Sequence, residues 1–224
     1  MVGVNVADDA SPPTNVRRPI VAVPAEVVSR MLECSDDWFA VLFRVAAVTG
    51  ARRGEVVGLQ WRDVDLDGAS ITICRSVVRS KDNVRVVRDT TKTNRHGTVS
   101  VDPGATAALR AWRCRCVETA LACGIALADE AFLFSPEPDG SRPRWPKDVN
   151  YEFVRIRDSL GLTGFTFKDA TRHFVATQLI ARGEDVRTVA GRLRHATPSQ
   201  TLNTYAHFLP EREGERDDRN DPGR

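Results

Sequence analysis

The stretch of residues 166–209 constrains the fold of this chain most strongly, because three short segments in it each combine an apolar helical face with one polar residue. The first segment, residues 171–180, precedes Gly183, and glycine ends helices by adopting a left-handed conformation. In the second segment apolar residues recur at i, i+3, i+4 and i+7, and the third repeats this spacing. Three consecutive core helices are therefore predicted.

Each segment carries one polar side chain in a special position. Arg172 shares the buried stripe of the first segment, because it precedes Val175 and Ala176 by three and four residues. His195 lies where the second segment ends. Tyr205 follows the apolar spacing of the third, so its ring is expected to face inward while its hydroxyl needs a polar partner.

Taken singly, these residues have ordinary structural explanations. On this explanation Arg172 is a buried arginine paired with a carboxylate, and Tyr205 is an ordinary core tyrosine. His195 would be a helix-terminal histidine favoured by the helix macrodipole. Their combination with the rest of the chain favours a functional site.

A fourth candidate, Arg52, lies near the start of residues 49–65, in the first turn of a predicted helix. It precedes Glu55 by three residues, so the two are expected to pair and to hold the guanidinium in place. An arginine in a first helical turn opposes the helix dipole, and both Arg52 and Arg172 are predicted there. Such conflicts with local preference tend to mark functional sites.

Alternating residues predict three short strands, at 70–73, 84–87 and 98–101, which we expect to form a small antiparallel sheet. Lys92 falls in the connection between the last two strands, where a flexible amine can reach a ligand lying over the sheet. An exposed lysine in a turn is, however, usually only solvated.

The segment around these strands is locally basic, although the formal net charge of the chain is only +2. Residues 75 to 95 include seven basic residues and only two acidic ones. Two explanations stay open: a surface for a polyanion, or a hairpin whose charges protect its edges. The basic residues are Arg75, Arg79, Lys81, Arg85, Arg88, Lys92 and Arg95.

The length and composition of the chain indicate the number of domains, the location and the absence of a metal site. A chain of 224 residues is expected to form one domain, and it has no long apolar run or signal-peptide pattern, so a cytoplasmic location without membrane association is expected. Five cysteines offer no disulfide framework and no paired ligand set, so no metal site is expected. Residues 1–19 are predicted to be a flexible leader and residues 211–224 a disordered charged tail.

With these residues in view, residues 20–210 resemble the catalytic domain of the tyrosine recombinases, or phage-type integrases. The resemblance implies an α+β, mainly α fold: a helical domain with a small three-stranded antiparallel sheet. The motifs that carry it occur in the family's order: residues 49–55 (TGARRGE), 59–65 (LQWRDVD), 91–93 (TKT), 172–177 (RHFVAT), 193–195 (LRH) and 204–207 (TYAH).

The resemblance also implies roles in cutting and rejoining DNA through a 3′-phosphotyrosine, without metal, ATP or another cofactor. Tyr205 is the implied nucleophile, and Arg52 and Arg172 bind the non-bridging phosphate oxygens. His195 donates a further hydrogen bond, and Lys92 protonates the departing 5′ oxygen.

Further residues have supporting roles in this prediction. Glu55 is expected to support the catalytic residues without contacting the phosphate itself. Contacts with the DNA backbone are expected from Arg85, Arg88, Arg95 and Arg194.

Two positions depart from the family pattern. Asp169 stands three residues before Arg172, where the family usually has a histidine; it is expected either to accept the tyrosine proton or only to cap the helix. Arg194 replaces the glycine that normally precedes the histidine at 195, so the local turn is in question.

The expected partners are double-stranded DNA and, by family analogy, three further copies of the chain in a tetramer. Typical members carry an additional N-terminal domain that closes around the duplex, and only about twenty residues precede the catalytic segment here. The chain is therefore expected to be either a fragment or degenerate copy from a mobile element, or a minimal recombinase that relies on other subunits to hold DNA. The alternative function is that of a non-catalytic DNA-binding remnant. A type IB topoisomerase and a helix-turn-helix reader built around Gly183 are weaker alternatives.

Overall fold

The computed structural model describes residues 19–89 and 97–209. Lys92, Arg95, the predicted leader up to residue 18 and the predicted tail lie outside these residues. The described part is mainly helical, with short strands between the third and fourth helices, in agreement with the predicted α+β class. The helices are α1 Ala25–Glu33, α2 Asp37–Thr49, α3 Arg53–Val57, α4 Pro103–Ala122, α5 Pro146–Ser159, α6 Phe174–Ala181, α7 Val186–Arg192 and α8 Pro198–Tyr205.

Three irregular helical turns complete this set. A π-helical segment, Asp169–His173, runs directly into α6, and short 3₁₀ turns cover Trp61–Asp63 and Ala206–Phe208. π-helical segments in proteins occur frequently at functional sites, since the wider turn changes which side chains share a face. Here the segment contains Arg172.

The helix starts follow local sequence rules. Pro103, Pro146 and Pro198 each occupy a first helical turn, where the missing N–H is tolerated and the fixed φ suits a helix. Asp102 accepts a hydrogen bond from the Ala105 N–H at 2.9 Å and so caps α4. These local signals explain why helix positions were predictable from sequence.

The expected three-stranded antiparallel sheet is present, in the order β1 (Val64–Asp65), β2 (Ser70–Ile73) and β5 (Gly97–Ser100). The prediction that residues 84–87 belong to it was wrong, because this stretch pairs with residues 76–79 in a separate hairpin. A tight turn at Asn83, whose φ is 60°, closes the hairpin locally, so pairing needs no long-range closure. The strands are β1 Val64–Asp65, β2 Ser70–Ile73, β3 Ser76–Arg79, β4 Arg85–Arg88 and β5 Gly97–Ser100.

The main core joins α2 and α5 to the stretch that precedes the π-helical segment. Phe153 of α5 packs its ring 6.0 Å from Phe43 of α2, and 5.9 and 5.7 Å from Phe165 and Phe167, between ring centroids. Aromatic edge-to-face packing of this kind fixes ring orientations as well as burying apolar area. The cluster therefore fixes the chain just before Arg172.

A second, smaller core lies among the last three helices. It contains Val175 of α6, Val189 of α7, the buried Leu193 and the ring of Tyr205. Gly50, which ends α2 at φ 63°, is so close to this core that an added Cβ would lie 2.8 Å from Leu193 Cδ2. The end of α2 and the end of α7 are thus in direct contact.

In the described ranges, 19–89 and 97–209, no helix is both long enough and apolar enough to cross a membrane.

Replacing Phe153 with alanine is expected to lower the free energy of unfolding by about 3–5 kcal/mol, because it leaves a cavity among three other aromatic rings. Urea unfolding followed by circular dichroism measures this. Tyr151→Ala on the same helix is the control, since that side chain is 72% exposed and its loss should change stability by about 0.5 kcal/mol or less. Equal effects of the two substitutions would contradict the assignment of Phe153 to the core.

Candidate active site

Arg172 is held by the ends of two helices. Its Nη1 donates to the Gly50 carbonyl at 2.7 Å, and its Nη2 donates to the Leu193 carbonyl at 2.5 Å. Both carbonyls lie at helix C-termini, where the backbone carries a partial negative charge that offsets a buried cation. These bonds use two of the five guanidinium N–H groups. Burial, and then the positive charge of Arg52, lower the pKa of Arg172 to about 10, so it stays charged at neutral pH.

Arg52 occupies the position just before α3, so the prediction that it lies within the first turn was wrong by one residue. The predicted pair with Glu55 is present: the Arg52 Nη1 donates to Glu55 Oε1 at 2.7 Å and the Arg52 backbone N–H donates to Oε2 at 2.8 Å. Glu55 thereby caps the helix and orients the guanidinium at the same time.

Glu55 also binds Arg194, whose Nη2 donates to Oε2 at 2.9 Å. Burial alone raises the pKa of the Glu55 carboxyl, but Arg194 and Arg52 outweigh that effect and hold the pKa below its ordinary value. One buried carboxylate thus bridges two arginines.

Arg194 lies in a different setting from the one predicted. Its side chain is only 5% exposed and is committed to Glu55, so the geometry favours a supporting role instead of direct contact with the DNA backbone. Its backbone adopts φ 54°, the left-handed conformation that glycine adopts most easily. Arg194 thus makes at this position a turn that a glycine would make without strain. Its side chain lies against Gly97 at the start of β5.

His195 follows the end of α7, as predicted. Its backbone N–H donates to the Ala190 carbonyl at 2.9 Å, and its Nδ1 lies 2.6 Å from Thr201 Oγ1 of α8. Burial and the positive charges of Arg172 and Arg52 lower the pKa of His195 to about 4, so the ring is neutral at pH 7. Thr201 was not singled out from the sequence, because no local pattern indicates that its hydroxyl meets His195.

Tyr205 is 1% exposed, and its hydroxyl oxygen lies 2.6 Å from Nδ1 of His173. Burial raises the pKa of the phenol, with a smaller opposing effect from Arg172. His173 is the polar partner that the buried hydroxyl requires. Sequence reasoning missed it, although it directly follows Arg172 and belongs to the same motif.

Asp169 does not contact the tyrosine by any hydrogen bond within the described ranges. Its Oδ2 accepts hydrogen bonds from the Thr166 backbone N–H and from Thr166 Oγ1, both at 2.7 Å, while Oγ1 accepts from the Asp169 N–H at 3.3 Å. This reciprocal arrangement is a capping box. Of the two roles left open for Asp169, the geometry favours capping.

Arg52, Arg172, His195 and Tyr205 line one open cleft of about 610 Å³. The structure therefore brings together four of the residues predicted to be catalytic. The cleft wall is cationic, and its described lining includes neither Asp nor Glu. The other described residues that line it are Ala51, Arg53, Asn150, Thr166, Phe167, Lys168, Thr171, His173, Gln200 and Thr204.

A second groove, of about 840 Å³, continues from the cleft and shares Arg52 and Arg53 with it. It runs between the β3–β4 hairpin and the start of α5, and Arg79, Arg88 and Lys147 add positive charge to its wall. Arg88, one of the residues predicted to contact the DNA backbone, thus lines this groove.

Arg85 is in the same hairpin but is not one of the residues that line the groove. Its guanidinium donates to the Pro143 carbonyl and lies 4.7 Å from the ring centroid of Trp145. The side chain therefore ties the hairpin to the start of α5.

No cluster of three or more metal-ligating side chains occurs in the part of the chain that the structure describes.

This fold is that of solved DNA recombinases. The chain superimposes on the Tn1549 transposon integrase in complex with transposon right-end DNA with a TM-score of 0.68 at 17% identity, covering 93% of this chain and 66% of that one.

Sequence relatives agree with the fold. The ICEBs1 integrase of Bacillus subtilis (strain 168) is 29% identical over 185 residues, which cover 82% of this chain and 48% of that protein. The tyrosine recombinase XerC of Methylobacterium sp. (strain 4-46) is 32% identical over 171 residues, or 74% of this chain and 45% of that protein. Residues 22–212 match the Phage integrase family, and the chain belongs to that family. It spans about half the length of these curated relatives.

Replacing Glu55 with glutamine is expected to lower the free energy of unfolding by about 3–5 kcal/mol, because it leaves the buried Arg194 without its counter-charge. Chemical denaturation measures the loss. The matched control is Asp67→Asn, which breaks an exposed pair with Arg110 and should cost about 1 kcal/mol or less. Similar losses in both variants would show that Glu55 is not a buried charge partner.

The two buried histidines make stability depend on pH. The pKa of His173 and that of His195 are each lowered from 6.5 to about 4, so the unfolded chain binds protons before the folded one does. Stability should therefore fall as the pH is lowered from 7 to 5, by up to about 2 kcal/mol per histidine. Urea unfolding at the two pH values tests this, and His195→Asn should make the dependence shallower. An unchanged stability between pH 7 and pH 5 would contradict the buried, neutral state.

Proposed function

We propose that this chain acts on double-stranded DNA as a tyrosine recombinase, cutting and rejoining strands at specific sites through a 3′-phosphotyrosine. The observation that carries the proposal is the placement of the Tyr205 hydroxyl in a cationic cleft that Arg52, Arg172 and His195 also line. Membership of the Phage integrase family supports it.

The charge of the cleft suits a phosphodiester. Arg172 is fixed by two backbone carbonyls and Arg52 by Glu55, so both guanidinium groups are oriented before any substrate arrives. Charge grows on the non-bridging oxygens as phosphorus becomes pentavalent, and preoriented cations stabilise that charge without reorganisation. In this proposal the two arginines lower the barrier to strand cleavage as well as binding the substrate.

His195 would act as a hydrogen-bond donor to the same phosphate. Its Nδ1 is occupied by Thr201, which leaves Nε2 as the ring atom available to the cleft. A neutral ring with its proton on Nε2 can donate that proton in a hydrogen bond. Lys92 is proposed as the general acid for the departing 5′ oxygen, and the phosphotyrosine would conserve the bond energy that rejoining needs.

The duplex would extend from the cleft into the second groove. Arg79, Arg88 and Lys147 line it without an acidic neighbour among the described lining residues, and phosphate contacts of this kind position DNA without reading its sequence. Arg95 is proposed to add to this surface. Arg85 would act indirectly by holding the hairpin against Trp145. Binding should accordingly weaken as salt is raised.

The Tn1549 integrase structure is a complex with transposon DNA, which supports a DNA partner for this chain. We propose further that four copies assemble on DNA to exchange two duplexes, and that the reaction takes place in the cytoplasm, where such DNA is found.

Replacing Tyr205 with phenylalanine should abolish a covalent protein–DNA adduct, because the nucleophilic oxygen is removed, while DNA affinity stays within about a factor of two. The assay incubates the purified chain with nicked duplexes made from DNA flanking its own gene and detects denaturant-stable adducts on a gel. An adduct in the unaltered chain that the variant lacks would support the proposal. DNA binding that weakens with salt, with no adduct in either protein, would contradict it and favour a non-catalytic DNA-binding remnant.

A further inference from the structure

We propose that His173 is the catalytic residue that takes the proton from the Tyr205 hydroxyl, in place of Asp169, which stands at the position of the family's usual histidine. The inference rests on the proposed strand cleavage and identifies the proton acceptor within it. Its basis is the direct contact between His173 Nδ1 and the phenol oxygen in the cleft.

The geometry of this contact suits proton transfer. The two atoms are 2.6 Å apart, and both side chains are buried, with His173 5% and Tyr205 1% exposed. The rings meet edge to face with centroids 5.5 Å apart, so packing as well as the hydrogen bond fixes their relative orientation. A neutral imidazole with its proton on Nε2 presents the Nδ1 lone pair to the phenol.

Asp169 is placed differently. Its carboxylate is held by the N–H and the hydroxyl of Thr166, and it makes no hydrogen bond to Tyr205 within the described ranges. The Asp169 charge also raises the pKa of Tyr205, since a nearby anion opposes formation of the phenolate. Asp169 instead favours the protonated form of His173, so it supports the neighbouring base by its charge.

His195 is the other histidine of the cleft. Its Nδ1 is engaged with Thr201, and in the part of the chain that the structure describes no hydrogen bond joins its ring to Tyr205. The two histidines therefore have separate partners: one is held by α8 beside the phosphate position, and the other contacts the nucleophile.

The charges around His173 set its proton affinity. Burial, then Lys168, and to a smaller extent Arg172, lower the pKa of His173 to about 4, while Asp169 opposes them. The ring is consequently neutral at pH 7, as a base must be. A phosphodiester bound by Arg172 adds a negative charge near the ring, which favours the imidazolium that forms during the reaction.

The proton leaves Tyr205 Oη for His173 Nδ1 as the Oη–phosphorus bond forms and the bond from phosphorus to the 5′ oxygen breaks. The departing oxygen takes a proton from the general acid, proposed above to be Lys92. On rejoining, the 5′ hydroxyl returns its proton to that general acid and its oxygen attacks phosphorus. The Oη–phosphorus bond breaks, and the His173 imidazolium returns its proton to the leaving phenolate.

The test compares rates of adduct formation for His173→Asn, His173→Ala and Asp169→Asn on the nicked duplexes described above. Asparagine keeps a polar group near the phenol but cannot take its proton, so both His173 variants should slow adduct formation by about 100-fold or more. His207→Asn is the matched control, because it makes the same change at an exposed histidine. Circular dichroism and thermal unfolding establish which variants are folded.

A second measurement separates proton transfer from positioning. Fluorinated tyrosine incorporated at residue 205 is more acidic than tyrosine, so it needs less help from a base. It should raise the rate of adduct formation by His173→Asn at least about tenfold. A slow His173→Asn that fluorotyrosine rescues, with a faster Asp169→Asn, is the expected result.

Three results would overturn the inference alone: a wild-type rate in His173→Asn, a slow rate that fluorotyrosine does not improve, or a larger loss in Asp169→Asn than in His173→Asn. Absence of any adduct in the unaltered chain would overturn the proposed function and this inference together.

Discussion

The two hydrogen bonds from the Arg172 guanidinium to the Gly50 and Leu193 carbonyls connect the ends of α2 and α7 to the π-helical segment. Only a planar side chain with several donors in fixed directions can serve two helix ends in this way, which a lysine ammonium cannot reproduce. Gly50 is two residues before Arg52 and Leu193 is two residues before His195. The same bonds that stabilise the buried cation therefore set the relative positions of three cleft residues.

The site keeps a surplus of positive charge in a buried setting. Glu55 is one carboxylate placed between Arg52 and Arg194, with the uncompensated Arg172 nearby, and burial lowers the pKa of both Arg172 and Arg194. Such an arrangement costs stability, because desolvated like charges repel each other. It suits a site that receives an anion, since preoriented cations gain most where water is excluded. The main aromatic core and the small C-terminal core supply the rigidity that this charge distribution requires.

Tyr205 belongs to both the packing and the chemistry of the domain. Its ring completes the small core with Val175 and Leu193, and this packing directs the hydroxyl toward His173. A reactive group fixed in this manner loses little conformational entropy when a substrate is bound. The C-terminal helices therefore position the Tyr205 hydroxyl oxygen in addition to forming part of the fold.

Much of this organisation was determined by the sequence itself. Helix positions, the Arg52–Glu55 pair and the inward-facing Tyr205 depend on spacing along the chain, which periodicity and capping preferences encode locally. Only the tertiary structure decided that Arg194 binds Glu55 and that the hydroxyl of Tyr205 meets His173. Those contacts join residues 139 and 32 positions apart, and they depend on how the helices pack, which no local pattern specifies.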